Sequence, residues 1–579
     1  MECPSLMSVL LPIGSIMFGR SLQVLIETET GMKYVMWDLR IGGKAEVSVS
    51  LPTWDSVIGL SRKEKWLLDQ LEWSYPRFYL NEPVRLLSDA VLRRLQITDT
   101  AVCCMMFSSA AAARRCAAIL RILPSENPFT VEIVRFVMPL ESNLGDSSIH
   151  WANFTAVLYP SDQLNGAMAF WRDTGSGLST RHAEFCLEEL EYLDSDSANP
   201  KYRTPAPQKR RRGETPQSLT WMRVAAANMQ EVKSFLANLA TPEHPAQPPV
   251  SPDDIFLYPT GMNAIYSLSE ALASPESKVV IYGWLYSETV NVIRRGVWAE
   301  CLSYKYGTER ELDRLENLLQ SGKQIRALFC ELPSNITLAS PNLHRIRALA
   351  GEYGFIVACD DTVVGHVNID VLPYVDVMMS SLTKTFSGAS NVTGGSLVIN
   401  PRSHHYDKIH AALSKNENIY FPLDVHTIRQ NCKNVVWRVK QCNQNALPLV
   451  DLFKSHAAIA EVNHPSIAPT RALYDSVRRR DGGFGNVMSI VFHDPRTAEH
   501  FYNVLNVCKG SNFGTNFTLA IPYAQLTNYW DQDKVAKYGV PKHIIRISVG
   551  LEDPEKIVDT ITRALESVDE FESTKPLNQ

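Results

Sequence analysis

Three groups of residues carry the chemistry this sequence could perform. Lys384 closes the segment Ser380-Ser381-Leu382-Thr383-Lys384, directly after an apolar run. An ε-amine held among apolar or cationic groups can give up its proton and attack a carbonyl. Asp360 lies 24 positions earlier, at the end of another apolar run, where burial demands a cationic or hydrogen-bonding partner. Thr260-Gly261-Met262-Asn263 separates a short apolar run from a helical pattern that starts near Ala264, a position where backbone N–H groups can cradle a phosphate. Singly, each has a plainer structural reading: a lysine after a strand is often a solvated end, and Asp360-Asp361 could cap a helix. Their order, with the Ser381 and Thr383 hydroxyls beside the lysine, matches the protein parts that hold pyridoxal phosphate: a Schiff-base lysine, a carboxylate for the pyridinium nitrogen and an anion cradle.

Such residues need a frame. Short apolar runs at 279–282, 327–330, 355–359 and 375–379 read as buried parallel strands of an α/β domain. Between the second and third, Ser340-Pro341 supplies an N-cap and a first-turn proline. Leu343, Ile346, Ala350 and Tyr353 recur at helical spacing, and Gly354 stops the helix. In such sheets the ligand sits beyond the carboxyl ends of the strands, which gives priority to Glu331, Asp360 and the stretch from Ser381 to Lys384. An earlier echo of this layout pairs a strand at 101–107 with a helix at 108–120. Gly175-Ser176-Gly177 lacks the rest of a dinucleotide fingerprint and is weak support for nucleotide binding.

The 579 residues correspond to about four average domains. Hydrophobic residues at 45% and charged residues at 21% describe an ordinary globular chain. A net charge of −5, from 57 basic and 62 acidic residues, gives no electrostatic case for a nucleic-acid or anionic-membrane partner. The 11 cysteines form no CxxC pair and no metal-ligand spacing, so no metal site and a reducing, cytoplasmic setting are expected. The first 18 residues lack a basic signal-peptide start, and no run of about 20 apolar residues occurs. Residues 194–217 read as an exposed linker carrying Lys209-Arg210-Arg211-Arg212, a run that is solvated or weakly like a nuclear-import signal. A helix at 218–240 and a Pro-rich stretch at 241–252 follow.

Several segments resemble the Cys/Met-metabolism (trans-sulfuration) family of pyridoxal-phosphate enzymes: Glu331-Leu332-Pro333-Ser334-Asn335, Asp360-Asp361-Thr362, Ser381-Leu382-Thr383-Lys384, and the run from Ile545 to Asp553. Ser48-Val49-Ser50-Leu51-Pro52-Thr53-Trp54, Tyr75-Pro76-Arg77-Phe78, Lys384-Thr385-Phe386-Ser387-Gly388 and Gly514-Thr515-Asn516-Phe517-Thr518-Leu519 are most similar to its fungal cystathionine γ-synthase branch.

The resemblance implies an aspartate-aminotransferase-like fold (fold type I), with a mainly parallel seven-stranded sheet. It divides the chain into an N-terminal arm (1–84), an inserted α/β region (85–175), helices and flexible linkers (176–250), a cofactor-binding large domain (251–420) and a small C-terminal α/β domain (421–579). By position, Lys384 would form the Schiff base and move protons, Asp360 would hold the pyridinium nitrogen, and Asn335 would contact the ring hydroxyl. Gly261, Met262, Ser381 and Thr383 would hold the phosphate, Tyr286 would stack on the ring, and Arg546 would take the substrate carboxylate with Asn512 nearby. Tyr75 and Arg77 match a Tyr-x-Arg pair that reaches the phosphate from a neighbouring subunit, implying a homodimer or homotetramer; Arg172 is a competing phosphate ligand.

Asp361, Ile336, Asn512 and Phe517 depart from residues common in the family, where asparagine, proline, serine and glutamate stand. The implied reaction is γ-replacement on an O-acylated homoserine, with cysteine as nucleophile. A carbon or nitrogen nucleophile, or elimination without replacement, would use the same residues. A catalytically silent relative kept for interaction is the reading of another class, and Lys384 with its partners argues against it.

Overall fold

A computed structural model of the chain describes residues 49–71, 74–76, 79–139, 151–209 and 217–575, besides a short antiparallel strand pair, Ile26–Glu27 with Lys33–Tyr34. The expected apolar runs form the centre of the molecule. Seven strands order as Ile255–Tyr258, Gly395–Ile399, Val377–Ser381, Ile356–Asp360, Ala327–Glu331, Lys278–Tyr282 and Glu300–Tyr304. Gly395–Ile399 runs antiparallel to both of its neighbours, and the other pairings are parallel.

Alternation along each strand feeds two cores. Leu328, Cys330, Val357 and Cys359 pack towards helices Glu309–Gln320 and Leu343–Tyr353. Phe329, Ala358, Val377 and Met379 pack towards helix Gly261–Leu272. Burial on both faces is why these segments read as unbroken apolar runs.

Two boundaries differ from expectation. The run at 375–379 enters the sheet two residues later, because the Asp376 carboxylate accepts from Val357 N at 2.8 Å and pairs with Arg347 at 3.0 Å, closing the strands' amino ends. The helix after Ser340-Pro341 is capped by Asn342, whose side chain accepts from Arg345 N at 3.0 Å, while Ser340 N bonds Thr470 Oγ1.

The N-terminal region forms an antiparallel sheet in the order Val102–Phe107, Phe154–Pro160, Glu132–Val137, Asp194–Ser197. Helices Ala110–Ile122 and Leu164–Thr174 cover one face, and Glu82–Arg94 with Thr180–Glu189 cover the other. The expected early strand and helix are present, but they echo the central sheet in neither direction nor order. The stretch expected to begin a linker at 194 supplies an edge strand instead. Its inward side chains are Ser195 and Ser197, whose hydroxyls donate to Tyr202 O at 2.9 Å and Ile133 O at 2.8 Å. Polar composition therefore imitated a linker. Lys209 is exposed, and Arg210, Arg211 and Arg212 lie outside the described residues.

The C-terminal sheet orders as Ile459–Asn463, Val487–Phe492, Ile545–Ser548, Leu519–Pro522, Cys508–Lys509. The arm residues Val49, Leu51, Trp54 and Val57 join its core; Leu51 N bonds Lys509 O at 3.0 Å, and Thr53 caps helix Trp54–Arg62. Among the described residues no helix is long and apolar enough to cross a membrane.

Candidate active site

Glu331, Asp360 and Ser381 end three adjacent parallel strands, so their side chains emerge along one edge of the central sheet. The C-terminal sheet faces that edge, and a cleft lined by residues of both lies between them.

Lys384 sits on the turn after the last of these strands, where Gly388 N bonds its carbonyl at 2.7 Å. Its buried Nζ donates to Asn512 Oδ1 at 2.5 Å and to the Tyr75 hydroxyl at 3.1 Å. The ring centroids of Tyr75 and Phe513 lie 4.3 and 4.7 Å from it. This Tyr75 belongs to the same chain as Lys384. Arg77 lies outside the described residues.

Asp360 is buried at the cleft floor and accepts from Thr362 N at 2.9 Å. Burial pushes its carboxyl up to about 6, opposed by the Thr362 hydrogen bonds and assisted by the charge of Asp361. Glu331, its in-register neighbour, accepts from Tyr286 N at 2.8 Å and Asn335 N at 2.6 Å. One carboxylate thus fixes the backbone of two expected site residues. Burial, then the proximity of Asp360, holds the Glu331 carboxyl well above its usual range.

The expected Thr260–Asn263 loop is the first turn of helix Gly261–Leu272. Thr260 is the N-cap, its hydroxyl accepting from Asn263 N at 2.9 Å, so the Gly261 and Met262 N–H groups sit at the positive helix end. A Cβ on Gly261 would come 2.8 Å from Ser381 Cβ and 3.0 Å from Ser381 Oγ, filling the cradle. Ser381 borders it, while the Thr383 hydroxyl is engaged with Gly394, donating to its O at 3.3 Å. Gly175, discounted as a nucleotide motif, abuts this turn: Asn263 Nδ2 donates to Thr174 O at 3.0 Å, and Thr260 Oγ1 to Gly175 O at 3.5 Å. Arg172, on the helix ending there, borders the cleft with its Nε on Asp173 at 3.0 Å.

Arg546 occupies the central strand of the C-terminal sheet and is buried against the cleft. Nη1 donates to Asn335 Oδ1 at 3.2 Å, and Nη2 donates to the carbonyls of Ser511 and Asn512 at 2.9 and 3.1 Å. Phe513 and Tyr523 flank the guanidinium. Tyr286 lines the same cleft. Sequence reasoning missed Thr260 as cap, Gly175, Phe513 and Tyr523; Glu331 was singled out by its place at a strand end, without a role.

A family profile described as Cys/Met metabolism PLP-dependent enzyme matches residues 222–566. The chain belongs to this family. A second profile, the N-terminal domain of fungal trans-sulfuration enzymes, matches residues 83–179, which span three of the four strands of the N-terminal sheet and the two helices on one of its faces. A cystathionine gamma-synthase-like protein, ankD, of Aspergillus thermomutatus is 43% identical over 533 residues, covering 90% of this chain and 92% of that one. The cystathionine gamma-synthase of Neurospora crassa is 30% identical over 600 residues, covering 90% and 96%. Among solved structures, cystathionine gamma synthase of Xanthomonas oryzae pv. oryzae superimposes with a TM-score of 0.53 at 19% identity, covering 64% of this chain and 95% of that one. The fold is that of the fold type I enzymes, as the sequence implied.

The family's cofactor is pyridoxal phosphate, and the residues present fit it. A Cβ at position 261 would fill the cradle, a buried amine stands in the cleft, and a buried carboxylate ends the strand beneath it.

Proposed function

We propose that this chain is a transferase performing γ-replacement on an O-acylated homoserine, with cysteine as nucleophile and cystathionine as product. The observation that carries the reading is the bridge made by Asn512: its side-chain oxygen accepts from Lys384 Nζ, and its backbone oxygen accepts from Arg546 Nη2. One residue ties the base to the carboxylate receptor, so an α-amino acid gripped through its carboxylate presents its α and β hydrogens to a single amine. The likeness to the Neurospora cystathionine gamma-synthase supports the substrate class.

Bound pyridoxal phosphate supplies an electron-withdrawing ring conjugated with the substrate nitrogen. Asp360 would accept the pyridine N–H, Tyr286 would stack on the ring and Asn335 would contact its hydroxyl. The Gly261 and Met262 N–H groups, with Ser381, Thr383 and Arg172, would hold its phosphate. Arg546 binds the substrate carboxylate in a forked pair. Lys384 Nζ, within hydrogen-bond reach of the Tyr75 hydroxyl, would move the α and β protons of the substrate one at a time, and the acyl group departs from Cγ as a carboxylate, its charge balanced by the proton that the cysteine thiol gives up. The cysteine sulfur adds at Cγ, and Lys384 returns protons to Cβ and Cα. The protein works as a homodimer or homotetramer on small amino acids in the cytoplasm.

The test is product analysis. Purified protein with O-acetylhomoserine or O-succinylhomoserine and cysteine should yield cystathionine by mass. Ketobutyrate and ammonia alone would replace this reading with elimination.

A further inference from the structure

His366 is a buried titratable group that the scheme above leaves unused. Val364 N and Gly365 N both bond Asp361 O, folding the chain back after the Asp360-Asp361 pair. That turn brings the imidazole onto Asp361: Nδ1 is paired with Oδ2, and the Ser380 hydroxyl donates to Oδ1. Both residues are buried, and the imidazole Nε2 has no hydrogen-bond partner. The small cavity beside it is walled by side chains such as Leu239, Val364, Phe386 and Val439, and its described lining holds no ionisable side chain other than His366.

A fully buried carboxylate is costly without a compensating cation. Ser380 offers a hydrogen bond but no charge, and Lys384 is engaged across the cleft by Asn512 and Tyr75. Asp361 is moreover next to Asp360, with Glu331 and Cys359 the other titratable groups around the pair. Three carboxyls crowd the strand ends, and the imidazole is the basic group in contact with the rearmost.

We propose that His366 is a positioning residue for the cofactor: its imidazolium neutralises Asp361, so that Asp360 keeps its own negative charge for the pyridine nitrogen. This rests on the reading of Asp360 as that nitrogen's partner. Without the imidazole, the Asp361 charge acts on Asp360 unscreened, Asp360 holds its proton, and a protonated carboxyl no longer accepts the pyridine N–H.

The test is titration of full-length protein with pyridoxal phosphate, followed by visible absorption. His366→Ala should weaken binding about tenfold or more, the equivalent of one pKa unit at Asp360. The double variant Asp361→Asn/His366→Ala, which removes the charge together with its neutraliser, should return to within about threefold of the parent. Should His366→Ala not fold, His366→Gln keeps a donor without a charge and should show the same loss. A purely structural histidine predicts no recovery, with the double variant as weak as the single one or weaker; that result, or parental affinity in His366→Ala, overturns the proposal. Asp360→Asn separates the two layers. If it binds like the parent, the site reading falls and the role of His366 with it; if it binds weakly while His366→Ala does not, only the role of His366 falls.

Discussion

Glu331 and Asp360 are paired in register at the ends of neighbouring parallel strands, so two buried carboxylates stand side by side at the floor of the cleft. They are satisfied differently. Glu331 spends both oxygens on the backbone N–H groups of Tyr286 and Asn335, whereas Asp360 takes a hydrogen bond from Thr362 N and lines the cleft. The first carboxylate builds the walls, and the second is left for a cationic partner.

This arrangement sets a pH dependence for the protein without cofactor. The Asp360 carboxyl rises from 3.8 to about 6 on folding, chiefly through burial. The folded state therefore binds this proton more tightly, and the stability it contributes is full below pH 3.8 and lost as pH rises through about 6. Above that the ionised, unpaired group costs about 3 kcal/mol. Asp360→Asn should raise the melting temperature of the apoprotein at pH 7.5, give no gain at pH 4, and weaken cofactor binding. Equal melting shifts at both pH values would refute this account.

Lys384 is the residue on which everything else converges. Lys384→Ala should lower turnover at least about a thousandfold and remove the visible band of the lysine-bound cofactor, while leaving the melting temperature of the apoprotein nearly unchanged. An unchanged absorption spectrum would place the reactive amine elsewhere.

Much of this site was legible because a fully buried parallel strand reads as an apolar run, and the first polar residue after it marks the sheet's functional edge. Asp360 and Lys384 were found that way. Arg546, Tyr286 and Asn335 needed the family resemblance, since nothing local distinguishes them from ordinary strand and loop residues. Phe513 and Tyr523 were invisible: they matter only through the approach of the small domain to the cleft, which no local pattern records. The Asp194–Ser197 strand was missed for the opposite reason, its inward serines being satisfied by backbone acceptors.

Arg546 tests recognition apart from chemistry. Its guanidinium is held by Asn335 and by the Ser511 and Asn512 carbonyls between two aromatic faces, a planar setting that an ammonium group cannot reproduce. Arg546→Lys should lower kcat/KM by about tenfold to a hundredfold, mostly through KM. Cofactor affinity should stay near that of the parent; an equal loss in both would mean that Arg546 supports the cofactor instead.

The turn behind Lys384 makes the last prediction. Gly388 has φ +71°, in the left-handed region, and a Cβ there would collide with Arg438 Nη1 and Asn516 Oδ1. Arg438 is buried, and its guanidinium binds the carbonyls of Thr385, Phe386 and Asn431 at 2.8–3.0 Å. Gly388 N bonds Lys384 O, and Asn516 N bonds Gly388 O. The turn is thus clamped between helix Val435–Ser455 and the loop that carries Asn516, and room for the clamp exists because position 388 is bare. Gly388→Ala should cost about 1–3 kcal/mol in stability and lower turnover by displacing the amine from Asn512. Gly351→Ala is the control: that glycine lies within helix Leu343–Tyr353 with nothing within 4 Å of its added Cβ, so alanine should be neutral or stabilising by about 0.5–1 kcal/mol. If both variants melt like the parent and turn over substrate normally, the clamp does not set the position of Lys384.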